Sequence, residues 1–371
     1  ENTRALSRNK EKVIDQTFYL PHNTMKYFLP RDYKYKHVND AGSKARMDIE
    51  HIMSRAGYVP VAEPFVVSKS RLCHFVRTIE ILVRASMVIR KGDILVLQYP
   101  TKYYSLICRL VHLRGAEVVT FIHDLQCFRN KRNSEQREIA LMNMSDALIG
   151  CNPSTCGWLL EHGFVGHGRK KVVESLGAFD FLSDAACPDR KATWPLRKIV
   201  YAGQLSLRKN RFLYDFGSLM DGYSLNVYGR GFDRSSAANP DKFDTKGFML
   251  PDNLIRTSEG DFGLVWDGGS VDCCDGDWGS YLMINTPHKI SLYIRCGLPL
   301  IIWEKAAMAA FVRDNGIGIC VSSLRDIAGI YERLTRDEYN RMCDNVMRVG
   351  RQMAEGRYFE RAVSAAVKRI R

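Results

Sequence analysis

NTPHKISLYIRCGLPLIIW, residues 285–303, changes its periodicity half-way along. Ile290, Tyr293 and Ile294 recur at helical spacing, and Pro287 suits the first turn of a helix. Gly297 ends that helix and Pro299 blocks its continuation. Leu300–Trp303 then supplies the short, wholly apolar run of a strand buried on both faces of a parallel sheet. A helix that feeds such a strand is half of an α/β unit. Its start carries Asn285, Lys289 and Ser291, and free amides beside a first-turn Lys make an anion site. On pattern alone, an ordinary α/β unit with a solvated Lys289 accounts for the stretch without any ligand.

Working outward, the same alternation fills the chain. Upstream, apolar runs at 93–98, 117–123, 147–151 and 172–176 read as strands, separated by helical patterns at 70–90, 101–114 and 154–162. Shorter strands are expected at 17–20, 33–38 and 59–62, with Ala45, Ile49, Ile52 and Met53 marking a helix between the last two. That helix follows a small, polar turn, Asn39 to Lys44, containing Gly42 and Ser43, with Ser43 suited to an N-cap. Residues 178–195 are polar, broken by prolines and aperiodic, as a linker is. A fresh strand at 198–202 restarts the alternation, followed by strands at 224–228, 246–248, 262–266 and 318–321, and helical periodicity runs from Arg325 to the end with a break near Gly356. The expected organisation is an N-terminal domain over 1–177, a linker over 178–195, a second α/β domain over 196–345 and closing helices over 346–371. A chain of 371 residues suits two such domains, each with its own core.

Composition narrows the function. The hydrophobic fraction of 46% and charged fraction of 26% are those of a globular protein, and no apolar run reaches membrane-spanning length. The first residues have no apolar signal region, and the eleven cysteines lack zinc or disulfide-framework spacing, so reduced thiols in a cytoplasmic protein are expected. A net charge of +13 suits an anionic partner. No basic run interleaved with aromatics, finger or helix-turn-helix pattern points to nucleic acid. The last helices are rich in arginine, either as a solvated face or as a contact with the inner face of a membrane. Asp272, Asp275 and Asp277 lie close together but without calcium-loop spacing, so no metal site is expected there.

Two strand ends carry candidate chemistry. His123-Asp124 closes a core strand of the first half, where open α/β sheets hold ligands, and His suits acid–base work near neutral pH. In the second half, the turn from Gly203 to Asn210 places Arg208 and Lys209 at a strand-to-helix junction, Arg offering a planar fork and Lys a point charge to a pyrophosphate.

These residues carry a family resemblance. The run P-x-K-x-x-x-Y-x-x-x-G-x-P over 287–299 is similar to the donor-binding segment of GT-B glycosyltransferases, with Leu292 standing where those enzymes often have Glu. Gly203 with Lys209 matches their G-x-x-x-x-x-K turn. NDAGSKARMDI (39–49), GDILVLQYP (92–100) and His123-Asp124-Leu125 with Arg129 resemble a narrower group, the bacterial adhesin glucosyltransferases and β-1,6-galactofuranosyltransferases. The resemblance implies two Rossmann-like domains facing across a cleft, with a final helix crossing back to the first. It implies transfer of galactofuranose, galactose or glucose from a UDP-sugar to a glycan, lipid-linked or glycopeptide acceptor, with no cofactor and no metal. On it, Gly203, Arg208, Lys209, Asp267, Asn285, Lys289 and Ser291 face the donor. Gly42, Ser43, Lys44 and Arg129 lie on the acceptor side of the cleft, and His123 or Asp124 is the base if the reaction inverts. Homo-oligomerisation is left open. A non-catalytic scaffold for another glycosyltransferase is the alternative, and a nucleotide-sugar oxidoreductase lacks its GxGxxG.

Overall fold

The computed structural model describes residues 24–30, 41–63, 71–129, 131–191 and 194–371. The strands expected at 17–20 and 33–38, and the start of the 39–44 turn, lie outside these residues. In the first half β1 (Lys26–Phe28) leads to α1 (Ala41–Arg55), β2 (Val59–Pro60), α2 (Arg71–Val88), β3 (Ile94–Tyr99), α3 (Tyr104–Leu113) and β4 (Glu117–Ile122). Two short helices follow, α4 (Gln126–Arg129) and α5 (Glu135–Met142), then β5 (Ala147–Gly150), α6 (Pro153–Glu161) and β6 (Val172–Ser175). All strands pair in parallel in the order β2-β1-β3-β4-β5-β6. The second half runs β7 (Lys198–Gln204), α7 (Leu207–Asn210), α8 (Phe212–Phe216), β8 (Ser224–Arg230), β9 (Phe243–Gly247), α9 (Pro251–Thr257) and β10 (Phe262–Val265). It continues with α10 (Gly276–Leu282), α11 (His288–Arg295), β11 (Leu300–Trp303), α12 (Ala309–Asn315) and β12 (Gly318–Val321). This sheet is also parallel, in the order β12-β11-β10-β7-β8-β9. Three helices close the chain: α13 (Asp326–Arg333), α14 (Arg336–Glu355) and α15 (Arg357–Ile370).

Both sheets are wound in two directions from an inner strand, β1 in the first and β7 in the second. Ligands collect at the carboxyl ends of strands where the winding direction reverses. Those points are the β1/β3 gap, below the start of α1, and the β7/β10 gap, below α7. Two glycines permit the tight packing at the second point. A side chain at Gly229 would meet the Gly203 carbonyl at 2.0 Å, and one at Gly263 would enter the Tyr293 ring at 2.4 Å. The Tyr293 hydroxyl accepts a hydrogen bond from the Ala202 amide at 2.7 Å, so α11 is pinned to β7 as well as to its own strand.

Strands β11 and β12 fall where their apolar runs place them. The segment 326–370 breaks at Leu334-Thr335 as well as at Gly356, because Thr335 and Glu338 form a capping box that starts α14. Helix α1 begins at Ala41, so Ser43 lies inside its first turn and is buried rather than capping it. Helix α15 packs on the first sheet against β6, β5 and β4, after a second half that built the other sheet. The buried Asp180 carboxylate accepts from the Tyr358 and Phe359 amides at 3.1 and 2.7 Å, so a residue between the sheets caps the helix that returns.

Candidate active site in the cleft

The site is built where β7 and β10 end. Asp267 follows β10 and is buried, and four groups converge on its carboxylate. Lys289 Nζ lies 3.1 Å from Oδ1, Tyr201 Oη 3.1 Å and Asn210 Nδ2 3.3 Å, while Lys209 Nζ is 3.5 Å from Oδ2. Lys289 also donates to Tyr201 Oη at 3.0 Å and sits 4.2 Å above the Tyr201 ring. Burial holds its ammonium down to about 8, with Asp267 pulling the other way. Lys209 lies 5.0 Å from the Trp278 ring, and Arg208 is exposed beside Asp277, 4.0 Å away. Three basic side chains from two elements therefore gather at the switch point of the second sheet.

Asp267 itself is fully engaged by Lys209, Lys289, Tyr201 and Asn210. Of the residues expected to face a donor, it is the one whose carboxylate lies between the two lysines. Ser291, also expected on the donor side, is buried and its hydroxyl donates to the Phe179 carbonyl at 2.8 Å, because its face of α11 covers the crossing segment. Asn285 does line the cleft, and its side-chain oxygen is buried without a hydrogen-bond partner. β7 runs past the expected 198–202 to Gln204, so Gly203 is paired within the strand, opposite Gly229, before the turn into Lys209.

Across the cleft, His123 and Asp124 follow directly on β4. His123 is buried, with Nε2 2.8 Å from Gln98 Oε1 and its ring stacked on Phe179 at 5.8 Å. Gln98 turns its amide nitrogen to Arg46 O and Glu50, so its oxygen faces the imidazole and Nε2 is the protonated nitrogen. Asp124 accepts from Arg129 through both oxygens at 2.7 Å, and from the Tyr281 hydroxyl. Arg129 thus reaches the cleft through Asp124. Lys44 instead holds Asp48 and the Leu182 carbonyl, and Asp48 accepts from the Leu182 amide at 3.1 Å. The start of α1 therefore anchors the chain between the sheets; its Gly42 and Ser43 are part of that turn.

Sequence reading passed over four residues that the structure gathers here. Tyr281 links the second half to Asp124, Trp278 covers Lys209, and Tyr201 floors the lysine pair. His288 packs on the Phe179 ring at 4.4 Å with both ring nitrogens buried and unpartnered, and burial lowers its pKa to about 4. Only His288 had a local signal: it stands immediately before Lys289. Tyr281 and Trp278 belong to α10, where the sequence pattern predicts no helix. That segment bridges the cleft: Lys131 pairs with Asp277 at 2.9 Å, and the Asn152 amide donates to Ile284 O and Thr286 Oγ1 at 3.0 Å each. Tyr281 lines a hollow on either side, one with His123, Asp124 and Asn285 and the other with Arg129, Lys131 and Arg208.

Residues 26–173 match the family description "Glucosyltransferase 3-like, N-terminal domain", and residues 199–366 match "Glucosyltransferase 3-like, C-terminal domain". The chain belongs to the glucosyltransferase 3-like family. It is a glycosyltransferase of GT-B fold. Among its relatives, beta-1,6-galactofuranosyltransferase WbbI of Escherichia coli (strain K12) is 28% identical over 330 residues, which is 86% of this chain and 92% of that one. Glucosyltransferase 3 of Streptococcus gordonii is 23% identical over 287 residues, 75% of this chain and 80% of that one. The solved structure of Anabaena HepE in complex with UDP and glucose superposes with a TM-score of 0.60 at 10% identity, covering 93% of this chain and all (100%) of that one. Trehalose-6-phosphate synthase OtsA gives 0.57 at 11% identity, covering 93% and 99%. At such identities the two structures speak for the fold.

Proposed function

We propose that this glucosyltransferase 3-like protein moves a hexosyl group from a UDP-sugar to a hydroxyl of a glycan, lipid-linked or glycopeptide acceptor in cell-surface polysaccharide or glycoprotein synthesis. The observation that carries the donor assignment is the Lys209–Asp267–Lys289 cluster at the β7/β10 switch point. A leaving diphosphate needs positive charge preorganised where its own charge develops. Lys289, Lys209 and the exposed Arg208 supply it, with Asp267 and Tyr201 fixing the two lysines. WbbI is named for galactofuranosyl transfer and HepE was solved with UDP and glucose, which supports a UDP-linked hexose as the donor. Asn285 Oδ1 and the His288 nitrogens, buried and unpartnered, are groups a sugar hydroxyl would satisfy.

The acceptor proton would pass to the end of β4. His123 Nε2 is committed to Gln98, whereas Asp124 presents a carboxylate to the cleft between Arg129 and Tyr281. An inverting transfer would use Asp124 as base after Tyr281 releases it, with His123 positioning the strand end.

Transfer is proposed to need no metal. Asp272 pairs with Arg325 at 2.6 Å, Asp275 accepts from the Gly269 amide and Asp277 pairs with Lys131, so the three carboxylates turn to separate partners. His112, Asp146 and His167 do meet elsewhere, at the amino end of β5, remote from the cleft. Their two imidazoles stack in parallel, 3.6 Å apart at 8°, and parallel rings cannot both aim a lone pair at one ion.

A screen of UDP-sugars by thermal shift tests the reading, since a true donor raises the melting temperature by linkage. Failure of UDP itself to shift the melt, at concentrations where related sugars are also silent, would overturn it.

A further inference from the structure

Helix α2 is apolar on both sides. Ala85 and the following Ile89 pack inward with Ile107, Cys108 and Val111 of α3 on one face of the first sheet. On the outer side Leu72, Phe75, Val76, Ile79, Val83 and Met87 recur at intervals of three and four, and all are exposed, up to 69% for Leu72 and 71% for Met87. That spacing places them in one stripe about 120° wide along a helix of 18 residues, about 27 Å long. Neighbouring α3 adds Leu106 and Leu113, the latter 85% exposed, on the face it shares with Arg109. A soluble monomer rarely leaves so continuous an apolar surface in water.

Charge states what covers it. Residues 71–114 contain eight Lys and Arg against two Asp and Glu. Both acids are spent internally: Glu80 pairs with Arg77 and Arg84, and Asp93 turns inward to accept from the Met25 and Arg90 amides. Arg90, Lys91, Lys102 and Arg109 remain exposed around the stripe. An apolar stripe rimmed by cations matches an interfacial helix seated among anionic headgroups. We infer that the α2/α3 face of the N-terminal half docks on an anionic lipid surface. The inference stands apart from the donor assignment, since none of these residues lies in the cleft.

It also moves the membrane contact. The arginine-rich closing helix was the place the sequence offered, but α15 packs in the other core cluster, with α1, on the opposite face of the sheet. Several of its cations are occupied within the chain: Arg369 by Glu174 and Val173 O, Arg371 by Gly92 O, Arg357 by Glu355. One flat surface cannot meet both faces.

Flotation with vesicles of phosphatidylcholine, alone or mixed with phosphatidylglycerol, tests this on the full chain. The expected result is binding to the anionic vesicles only, weakened by high salt. Lys102→Ala and Arg109→Ala should each lower it about fivefold, and Phe75→Ser with Val83→Ser roughly tenfold or more. Melting temperature and UDP affinity should be unchanged in both sets, and Arg357→Ala with Arg361→Ala, on the opposite face, should bind vesicles normally. Absence of vesicle binding by the unaltered chain would overturn the inference. So would loss of binding in the α15 variant alone. Dissociation of an oligomer by the Phe75/Val83 variant, seen by sedimentation, would instead assign the stripe to a second copy.

Discussion

Replacing Lys289 by Met should separate the stability of the lysine cluster from its function. At neutral pH the ammonium is buried, and its pKa of about 8 lies below the ordinary value even with Asp267 at 3.1 Å. Desolvation therefore exceeds the attraction of the pair, by about 3 kcal/mol at 1.36 kcal/mol per pKa unit. Removing Lys289 alone relieves that penalty and leaves Asp267 with Lys209, Tyr201 and Asn210, so Lys289→Met should leave stability unchanged or raise it, by at most about 3 kcal/mol. Replacing both partners, Lys289→Met with Asp267→Asn, also takes away the carboxylate that Lys209 pairs with and should be no more stable than the single variant. Donor affinity should behave otherwise. A charge-assisted contact to diphosphate contributes about 1.5–3 kcal/mol, so the dissociation constant for UDP should rise roughly 10- to 150-fold in the single variant and stay raised in the double. Calorimetry with UDP and thermal melts on the same preparations read both quantities. Wild-type UDP affinity in either variant would refute the placement of the diphosphate at the start of α11.

Three further outcomes are expected. Because burial keeps free Lys289 near pKa 8 and a bound diphosphate would raise it, UDP binding at pH 9 should take up close to one proton, measured by calorimetry in buffers of different ionisation enthalpy; binding without uptake would exclude contact with Lys289. Asp124→Ala should leave UDP affinity nearly unchanged while transfer falls on the order of 10²–10⁴-fold, whereas equal loss of both would mark Asp124 as structural. Burial raises Asp180 to about 7, so its contribution to stability is complete below the ordinary carboxylate range and is lost as pH rises through 7. The melting temperature of Asp180→Asn should accordingly fall less between pH 5 and 8 than that of the unaltered chain, and an equal fall would refute the assignment (both pH values bracket the shifted titration).

The parallel α/β architecture was legible because buried strands such as Leu300–Trp303 are apolar throughout and their neighbours follow a 3.6-residue period. Strand β1 was not: three residues between Pro21 and Pro30 are too few to show a period, and they become a strand only through pairing with β2 and β3. Helix α10 was hidden by two glycines and an acidic start. At the site, the resemblance set Asp267 and Ser291 on the donor side with Lys289, but the partners they hold lie 22 residues away for Asp267 and 112 for Ser291, distances no local pattern carries.

The backbone passes between the two sheets twice, once through residues 176–191 and 194–197 and again at Gly356 between α14 and α15. The passages lie side by side. The Phe181 amide donates to Met353 O at 3.1 Å, and Asp180 spans from one to the helix that begins the other. Joined at these points, the two passages form one seam between the halves. Gly356, at φ 78°, is the joint in one passage, and a Cβ there would strike Ile52 of α1 at 2.6 Å. Across the cleft the halves also meet through Tyr281 on Asp124, Lys131 with Asp277, and Asn152 on Ile284 and Thr286.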